Sequence, residues 1–228
     1  MFDIQGITQT WDELIREGKY RLEIPDDLVV ESTSQFLQAG VKIVLDLGCG
    51  LGRHMDHFSR LGYPVVGVDI SPLALEHSKY VIGDRPQAHL AQANILHLPF
   101  ADKTFCLTLA WRMLHLNRIK QIQQALKETS RVTRKDGLFY CSLRSTKNTL
   151  YHLGKEEGEE IEKNTFVMGP GDLEGLIYHF FEKDEIESLL EEDFNLIRLR
   201  ETQLEHTDYT VQRSDVENTF WIALARRK

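Results

Sequence analysis

The stretch Val44 to Gly52 reads V-L-D-L-G-C-G-L-G, and the rest of the chain is organised around it. Apolar residues interrupted by one acid, Asp46, and closed by alternate glycines predict a buried parallel strand that runs into a tight loop. A helix should follow at once, because Arg53 to Leu61 carries apolar residues at three-residue spacing before Gly62. Such glycines permit a sharp turn and close approach by a ligand, and free amides at a helix N-terminus bind anions. The stretch therefore predicts a nucleotide-type site.

The composition predicts one domain. The chain has 228 residues, of which 42% are hydrophobic and 27% charged, which suffices for one core but not for two full domains. Its net charge of -8 disfavours a nucleic-acid partner. No leader pattern and no apolar run of the roughly 18 residues that cross a membrane is visible, so we expect a cytoplasmic protein that does not bind membranes. Its cysteines, Cys49, Cys106 and Cys141, lie in or beside apolar strand patterns, as buried cysteines do in a reducing compartment.

Helical and strand patterns alternate along the chain. Thr10 to Glu13 has capping-box spacing and predicts a short helix up to Gly18, and Pro25 can open a second helix. The further strands are predicted at 65–69, 88–93, 105–110, 138–143, 194–199 and 219–225. This alternation indicates an α/β protein with a doubly wound sheet, whose ligand binds outside the carboxyl ends of the strands.

One segment interrupts the alternation. From Arg144 to Tyr178 the periodicity dissolves into Lys, Glu and Gly, and a connection of that length is often a lid. We therefore expect a single domain over 1–228 with four parts. They are an N-terminal appendage or lid helix (1–24), a core (25–143), an inserted loop or lid (144–178), and a C-terminal helix and strand pair (179–228).

Two features narrow the class of nucleotide ligand that the site can bind. Asp69 ends the second predicted strand 21 positions after Gly48, close to the roughly 20 expected of an acid that accepts hydrogen bonds from ribose hydroxyls. The glycines are spaced G-x-G-x-G and lack the G-x-x-G step of a pyrophosphate-binding turn. Asp46 would repel a pyrophosphate, but it can meet an ammonium group directly or through water. An adenosine ligand without a pyrophosphate is therefore favoured.

At these residues the chain resembles the class I S-adenosylmethionine-dependent methyltransferases, particularly the small-molecule type with a D-L-G-C-G-x-G loop. The resemblance covers nearly the whole core, from about Pro25 to Arg226. Its further motifs are V-V-G-V-D-I-S (65–71), L-P-F (98–100), W-R-M-L-H (111–115), R-V-T-R-K-D-G-L-F (131–139) and F-F-E-K-D-E-I (180–186). It implies a Rossmann-like sheet of seven strands, the last antiparallel, with helices on both faces. It also implies S-adenosylmethionine as cofactor and S-adenosylhomocysteine as its product.

The resemblance also assigns residues to the methionine end of the cofactor. The loop that includes Gly48, Cys49, Gly50 and Gly52 should pass beside the methionine moiety, and Asp46 is a further candidate cofactor-binding residue. Trp111, directly after the fourth strand, would lie near the transferred methyl group.

At the adenosine end, the resemblance implies that Asp69 binds both ribose hydroxyls and that Ile70 packs on adenine. Relatives usually meet the adenine amino group with an aspartate, where this chain has Asn94. The side-chain oxygen of Asn94 can still accept that hydrogen bond, and Ile95 would supply the neighbouring backbone amide.

Each assignment has a structural alternative. The glycines can serve only the turn, Asp69 can be a helix cap, Asn94 can end a strand, and Trp111 can pack in the core. His54 and His57 are three residues apart, but no carboxylate or cysteine cluster accompanies them, and we expect no metal.

The chemistry implied is an in-line displacement at the sulfonium methyl group, for which the protein mainly holds the acceptor in line and excludes water. A general base is needed only if the acceptor must lose a proton, and no catalytic residue is assigned. Arginines near the strand ends can hold an anionic acceptor. Candidates for the acceptor pocket are Trp11, Tyr20, Arg112, His115, Arg144, Tyr151, Tyr178 and His179.

The acceptor class follows by elimination. The acidic chain has no Asn-Pro-Pro-Tyr motif for base methylation and no nucleophilic cysteine motif, so a small-molecule acceptor is favoured. A monomer or homodimer is expected. Two other classes remain open, namely an NAD-dependent oxidoreductase on the same fold and a non-catalytic adenosine-binding regulatory protein.

Overall fold

The structure is a computed structural model that describes residues 4–20, 22–204 and 217–228. Its helices are α1 (Ile4–Arg16), α2 (Asp27–Gln38), α3 (Arg53–Arg60), α4 (Pro72–Ile82), α5 (Ile119–Val132), α6 (Thr149–Glu157) and α7 (Lys183–Leu190). Its strands are β1 (Val44–Leu47), β2 (Val65–Asp69), β3 (Ala88–Gln92), β4 (Phe105–Ala110), β5 (Thr133–Arg144), β6 (Glu159–Glu162), β7 (Thr165–Val167), β8 (Ile177–His179), β9 (Phe194–Gln203) and β10 (Thr219–Arg227). None of the helices in these ranges is long and apolar enough to cross a membrane.

The main sheet has seven strands in the order β3-β2-β1-β4-β5-β10-β9. Strand β1 pairs in parallel with β2 and β4, and β10, the last strand of the chain, is antiparallel to both β5 and β9. The predicted fold class is confirmed. After β3, at the edge of the sheet, the chain crosses to β4, which lies on the other side of β1. The direction in which strands are added reverses at this crossing, and a crevice opens at the carboxyl ends of β1 and β4.

Helices cover both faces of this sheet, which is why β1 and β4 are buried along their whole length. One face packs on α2 and α3 through Phe36, Met55 and Phe58. The other packs on α5 and α7 through residues such as Ile122 and Ile186. Burial of each such side chain contributes roughly 1.5–3 kcal/mol, so the two cores fix the strand ends that form the crevice.

Helix α1 begins earlier than the capping-box spacing predicts. Thr10 lies in the middle of α1, and its hydroxyl donates to the backbone oxygen of Gly6 at 3.0 Å. The capping-box prediction is therefore wrong. The reason is that Ile7, Trp11 and Ile15 form one apolar face at four-residue spacing, which extends the helix upstream of Thr10.

The segment 144–178 is not an irregular loop. It contains α6 and a separate antiparallel sheet in the order β6-β7-β8. This small sheet has an apolar cluster of its own, with Leu150, Phe166, Met168 and Tyr178 at its centre. The loop prediction failed because strands of three and four residues are too short to show a period, and the Glu residues of β6 face solvent.

Two predicted boundaries also move. The strand predicted at 138–143 begins earlier, at Thr133, and Asp136 has a φ of 61° at an irregularity in the pairing of β5 with β4. The strand predicted at 194–199 extends to Gln203, and most of the connection from it to β10 lies outside the described residues.

Candidate functional site

A cleft lies at the carboxyl ends of β1, β2, β3 and β4, beneath α1. Its empty space, including the part open to solvent, is about 890 Å³. Its lining residues come from α1 and the segment after it (Ile7, Trp11, Ile15, Tyr20), from the strand ends (Gly48, Gly50, Asp69, Ile70, Ser71, Ala74, Ala93, Asn94, Ile95), and from the segment after β4 (Arg112, Met113, Leu116, Asn117).

The floor of the cleft is the backbone of the glycine loop. Gly48 and Gly50 have φ angles of 64° and 54°, in the left-handed region that side chains disfavour. A Cβ atom on Gly48 would lie 2.9 Å from a carbon of Met113, and one on Gly50 would lie 2.8 Å from the hydroxyl of Tyr20. The loop therefore brings bare backbone against the walls of the cleft, as close approach of a ligand requires.

Asp69 stands at the end of β2, and its carboxylate ties the loop to α4. One oxygen accepts a hydrogen bond from the Gly50 amide at 2.9 Å, and the other accepts one from the Ser71 amide at 3.0 Å. Burial raises the pKa of Asp69, while these backbone hydrogen bonds lower it. Each carboxylate oxygen has a further lone pair, so Asp69 can also accept hydrogen bonds from a diol in the cleft.

The next strand end completes this side of the cleft. The Ala93 amide donates to the Asp69 backbone oxygen at 3.1 Å, which aligns the residues after β3 with those after β2. Asn94 lies there with its side-chain oxygen accepting from the Leu96 amide at 2.9 Å. Ile70 and Ile95 provide apolar surface from the two strand ends, suitable for the faces of a flat ring.

Asp46 does not line the cleft but is buried in β1, with 1% of its surface exposed. Burial raises its pKa to about 7, the charge of Arg53 opposes this rise, and the charge of Asp69 adds to it. Its Oδ2 atom has no hydrogen-bond partner in the part of the chain that the structure describes. A buried carboxylate in this state favours a cation in the loop above it.

Three other residues assigned to the cofactor do not line the cleft. The Cys49 side chain packs in the core, where burial raises its pKa. A Cβ on Gly52 would lie 2.8 Å from the Ser78 hydroxyl, so this glycine lets α3 approach α4. The Trp111 ring packs 5.0 Å from the Tyr140 ring, within the core under α2. Their positions correspond to packing roles.

Helix α1 forms the roof of the cleft. The sequence predicts an N-terminal lid helix, but of the α1 residues that line the cleft it identifies only Trp11. Ile7, Trp11 and Ile15 share its inner face, and the four-residue spacing is the signal that could have identified all three. The Trp11 ring packs edge-to-face with Tyr20, their centroids 5.7 Å apart. The Ser71 hydroxyl donates to a carboxylate oxygen of Asp12, so α1 is hydrogen-bonded to the N-terminus of α4.

Arg112 lies at the end of the cleft away from Asp69's strand, in the segment that follows β4. Its φ of 58° is unusual for a residue with a side chain. The backbone amide donates to the Ser142 hydroxyl at 2.8 Å, and Nη2 donates to Asp26 at 3.0 Å. Both charged side chains are almost fully buried. Arg112 is one of the residues that line the cleft, and this ion pair fixes the position of its side chain.

His115, Arg144 and Tyr178 do not line the cleft, although all three were candidates for it. The His115 ring stacks on Tyr178, with centroids 5.7 Å apart, and the Arg144 guanidinium lies 4.6 Å from the centroid of Phe220. All are buried where the small sheet meets β10. Stacking on aromatic rings is a stable alternative for these side chains, and their assignment to the acceptor pocket stays a prediction.

Tyr151 and His179 also lie elsewhere. The Tyr151 hydroxyl donates to the side-chain oxygen of Asn164 at 3.1 Å. His179 is buried, with its ring nitrogens 2.7 Å from Thr165 Oγ1 and 3.2 Å from Glu185 Oε2. Both side chains bond polar groups of the small sheet and α7, which accounts for their distance from the cleft.

The histidine pair on α3 has partners on the neighbouring segments. His54 Nε2 accepts from the Asp26 amide at 3.3 Å, and His57 Nε2 lies 2.9 Å from the Thr33 hydroxyl. Burial lowers the pKa of both histidines. Within the described ranges, no group of three or more His, Cys, Asp or Glu side chains could hold a metal ion.

Comparison with known proteins agrees with this geometry. A family model described as a methyltransferase domain matches residues 44–137. The Bacillus subtilis protein named "Uncharacterized methyltransferase YodH" is 30% identical over 166 residues, which make up 72% of this chain and 70% of that protein.

Solved structures share the fold. An S-adenosylmethionine-dependent methyltransferase from Methanosarcina mazei aligns with a TM-score of 0.72 at 22% identity, covering 85% of this chain and 95% of that one. The 1,6-didemethyltoxoflavin-N1-methyltransferase of Burkholderia thailandensis, solved with 1,6-didemethyltoxoflavin and S-adenosylhomocysteine, aligns with a TM-score of 0.62 at 18% identity. That alignment covers 86% of this chain and 76% of the Burkholderia protein.

Proposed function

The chain belongs to the class I S-adenosylmethionine-dependent methyltransferases, and we propose that it methylates a small-molecule acceptor by in-line displacement. The observation that carries this proposal is the cleft itself. Its floor is bare glycine backbone, one end has a carboxylate at the end of β2, and the other end is lined by Arg112 and its neighbours after β4. These are separate environments for a donor and an acceptor.

At the adenosine end, Asp69 would accept hydrogen bonds from the ribose hydroxyls, and Ile70 and Ile95 would pack against adenine, next to Asn94. The support for this is their common position on the cleft wall and the lone pairs that remain on Asp69.

At the methionine end, Gly48 and Gly50 would allow the amino-acid portion to lie against the loop. Asp46 would stabilise its ammonium group from below, directly or through water. The orphaned Oδ2 of Asp46 and its raised pKa support this role, because a nearby cation would favour the ionised carboxylate.

The cofactor supplies a methyl group on a positively charged sulfur, so the protein is not required to generate the electrophile. What remains for the chain is to hold the acceptor in line and to exclude water. The apolar inner face of α1, with Ile7, Trp11 and Ile15, covers the cleft and would serve the second task. No base is assigned, since the need for one depends on the acceptor atom.

The acceptor wall would comprise Trp11, Tyr20 and Arg112, the three predicted acceptor residues that line the cleft. Aromatic rings and one fixed guanidinium suit a flat acceptor with few polar groups. The Burkholderia neighbour binds 1,6-didemethyltoxoflavin, which is a small molecule. A small-molecule ligand in a protein of the same fold supports a small-molecule acceptor for this chain.

Calorimetry with S-adenosylmethionine, S-adenosylhomocysteine and NAD tests the donor half of the proposal. We expect the first two to bind and NAD not to bind. We also expect Asp69→Ala to lower the affinity for S-adenosylhomocysteine by more than tenfold, because hydrogen bonds to a charged acceptor are lost. Circular dichroism of the variant separates this effect from unfolding. Tight NAD binding with no response to the other two would contradict the proposal.

The acceptor half needs an unbiased search. Incubation with methyl-labelled S-adenosylmethionine and a metabolite extract, followed by identification of the labelled product, should yield a small molecule. Label that appeared only in protein or nucleic acid would contradict a small-molecule acceptor. Cofactor binding without any transfer would indicate a non-catalytic adenosine-binding protein.

A further inference from the structure

Met113 is a methionine that reaches the cleft. It follows Arg112 in the segment after β4, it lines the cleft, and its side chain is half-buried. Of the other methionines in the ranges that the structure describes, Met55 is 0% exposed and Met168 is 3% exposed, and each packs in an apolar cluster. Among these described thioethers, a reagent dissolved in water therefore meets that of Met113 first.

The thioether of Met113 lies against the floor of the cleft. A Cβ atom on Gly48 would lie 3.0 Å from Cγ of Met113 and 3.4 Å from its Cε. The sulfur is bonded to both of these carbons, so it lies beside the backbone of the glycine loop. The segment is held there, because the Met113 backbone oxygen accepts from the Leu116 amide at 3.1 Å. Met113 thus borders the place where the amino-acid portion of the cofactor would lie.

The cysteines are poor competitors for an oxidant. Cys49, Cys106 and Cys141 are free thiols, and all three are buried. Burial raises the pKa of the Cys49 and Cys141 thiols, which keeps them protonated. Peroxide oxidises the thiolate, so these side chains react slowly. A thioether needs no deprotonation, which favours Met113 as the reactive sulfur.

We infer that Met113 is an oxidation site at which hydrogen peroxide closes the cleft to the cofactor. A lone pair of the sulfur attacks one peroxide oxygen, so that an S–O bond forms and the O–O bond breaks. The proton of the transferred hydroxyl passes to the departing hydroxide. Sulfur gives up two electrons, peroxide is reduced, and the products are methionine sulfoxide and water. The inference rests on the proposed function, because it requires the cofactor to lie on the glycine loop.

The added oxygen has little room beside the loop. The Gly48 backbone already occupies one side of the Met113 side chain. The oxygen therefore either pushes against the loop or projects into the cleft, where it takes up space that the amino-acid portion of the cofactor needs. A sulfoxide is also polar where the thioether was apolar. The oxidised protein should bind S-adenosylhomocysteine more weakly, and a bound ligand should in turn shield Met113 from peroxide.

The test treats the cofactor-free protein with hydrogen peroxide, removes the oxidant and measures two quantities. Peptide mass spectrometry follows the gain of one oxygen at each methionine, and titration calorimetry gives the affinity for S-adenosylhomocysteine. We expect Met113 to oxidise at least about tenfold faster than Met55 or Met168, and the affinity to fall by more than about tenfold once Met113 is oxidised. Saturation with S-adenosylhomocysteine before treatment should slow the oxidation of Met113 by at least about fivefold.

Two variants assign the effect to one side chain. Met113→Leu replaces the thioether by an alkyl chain of similar volume. Its affinity for S-adenosylhomocysteine, compared with its own value before treatment, should not change with peroxide. Met168→Leu makes the same replacement in the apolar cluster of the small sheet and should lose affinity as the native protein does. Thermal melting of each treated sample checks that the fold survives.

Four results would overturn the inference. They are an unchanged affinity after full oxidation of Met113, oxidation of Met113 no faster than that of the buried methionines, an equal loss of affinity in Met113→Leu, and a loss that occurs only with unfolding. A native protein that fails to bind S-adenosylhomocysteine before treatment would instead remove the proposed function. That failure is visible before any peroxide is added.

Discussion

Replacement of Asp46 by asparagine should remove a large part of the pH dependence of folding stability. Asp46 lies in β1 opposite Gly67 of β2 and Leu109 of β4, and it is 1% exposed. Burial raises the pKa of its carboxyl from the ordinary 3.8 to about 7. In the unfolded chain the carboxyl ionises near its ordinary value, so folding is linked to a proton at this position.

The sign and the size of the effect follow from that linkage. Between about pH 4 and pH 7 the folded protein keeps a proton that the unfolded chain has lost, so stability falls as the pH rises through this window. A shift of about three pKa units corresponds to ~4 kcal/mol over the full window, an upper estimate for one buried group. The share that falls between pH 6 and pH 8 is ~1.4 kcal/mol, because the folded carboxyl ionises at about pH 7.

Urea unfolding of the cofactor-free protein at pH 6 and pH 8 measures this share. Between pH 6 and pH 8 the free energy of unfolding of the native protein should fall by ~1.4 kcal/mol more than that of Asp46→Asn. Asp84→Asn removes an exposed carboxylate outside the cleft and should behave as the native protein does. The neutral buried His54 also contributes near pH 6, but it is common to all three proteins and cancels in the difference. An equal pH dependence in the native protein and Asp46→Asn would refute the reasoning.

The same variant separates the stability of the fold from the proposed role of Asp46 in binding. If Asp46 stabilises the ammonium group of the cofactor, only the ionised carboxylate is competent to bind. The affinity of the native protein for S-adenosylhomocysteine should then rise about tenfold from pH 6 to pH 8 and stay level in Asp46→Asn. A level affinity in both proteins would leave the buried carboxyl as a feature of the fold and remove it from the site.

Three further predictions concern the cleft and its roof. Gly50→Ala should lower S-adenosylhomocysteine affinity by more than tenfold in calorimetry, because the added methyl would lie 2.8 Å from the Tyr20 hydroxyl at a φ of 54°. Gly62→Ala, which has a positive φ but open space, is the control for strain alone and should retain native affinity. Ser71→Ala should lower the free energy of unfolding by ~1 kcal/mol, because it removes the N-cap of α4, and unchanged urea midpoints would contradict this. Trp11→Ala should speed S-adenosylhomocysteine dissociation in stopped-flow measurements, since α1 covers the cleft, and an unchanged rate would show that α1 is not a barrier.

The main sheet could be predicted because its signals are local. A strand buried on both faces reads as a continuous apolar run, as 105–110 does, and the glycine loop marks where the first strand meets its helix. The small sheet could not be predicted in the same way. Its strands of three and four residues are stabilised by one shared apolar cluster, and that cluster forms only when α6 and the strands come together.

The grouping of Asp69 and Asn94 on one wall of the cleft was predictable for the same local reason. Asp69 and Asn94 each lie at or directly after the end of a strand, and in a parallel sheet the carboxyl ends of neighbouring strands lie side by side. Asp46 was the exception. The sequence predicts that Asp46 lies in the first strand. Whether its carboxylate faces the cleft depends on how the glycine loop folds above it, and in the structure Asp46 is buried beneath that loop.

The acceptor half depends on pairings that no local pattern encodes. Arg112 and Arg144 both follow strand ends, and both are buried. Arg112 lines the cleft, and Asp26, 86 residues earlier, binds its guanidinium, whereas Arg144 lies against the rings of Phe220 and Tyr178 at the junction with the small sheet. The position of a buried cation is set by its partner, because the free-energy cost of removing the charge from water is otherwise not offset. Recognition of the acceptor therefore has to be argued from Arg112 and the inner face of α1, while Arg144 belongs to the packing that holds the small sheet against the core.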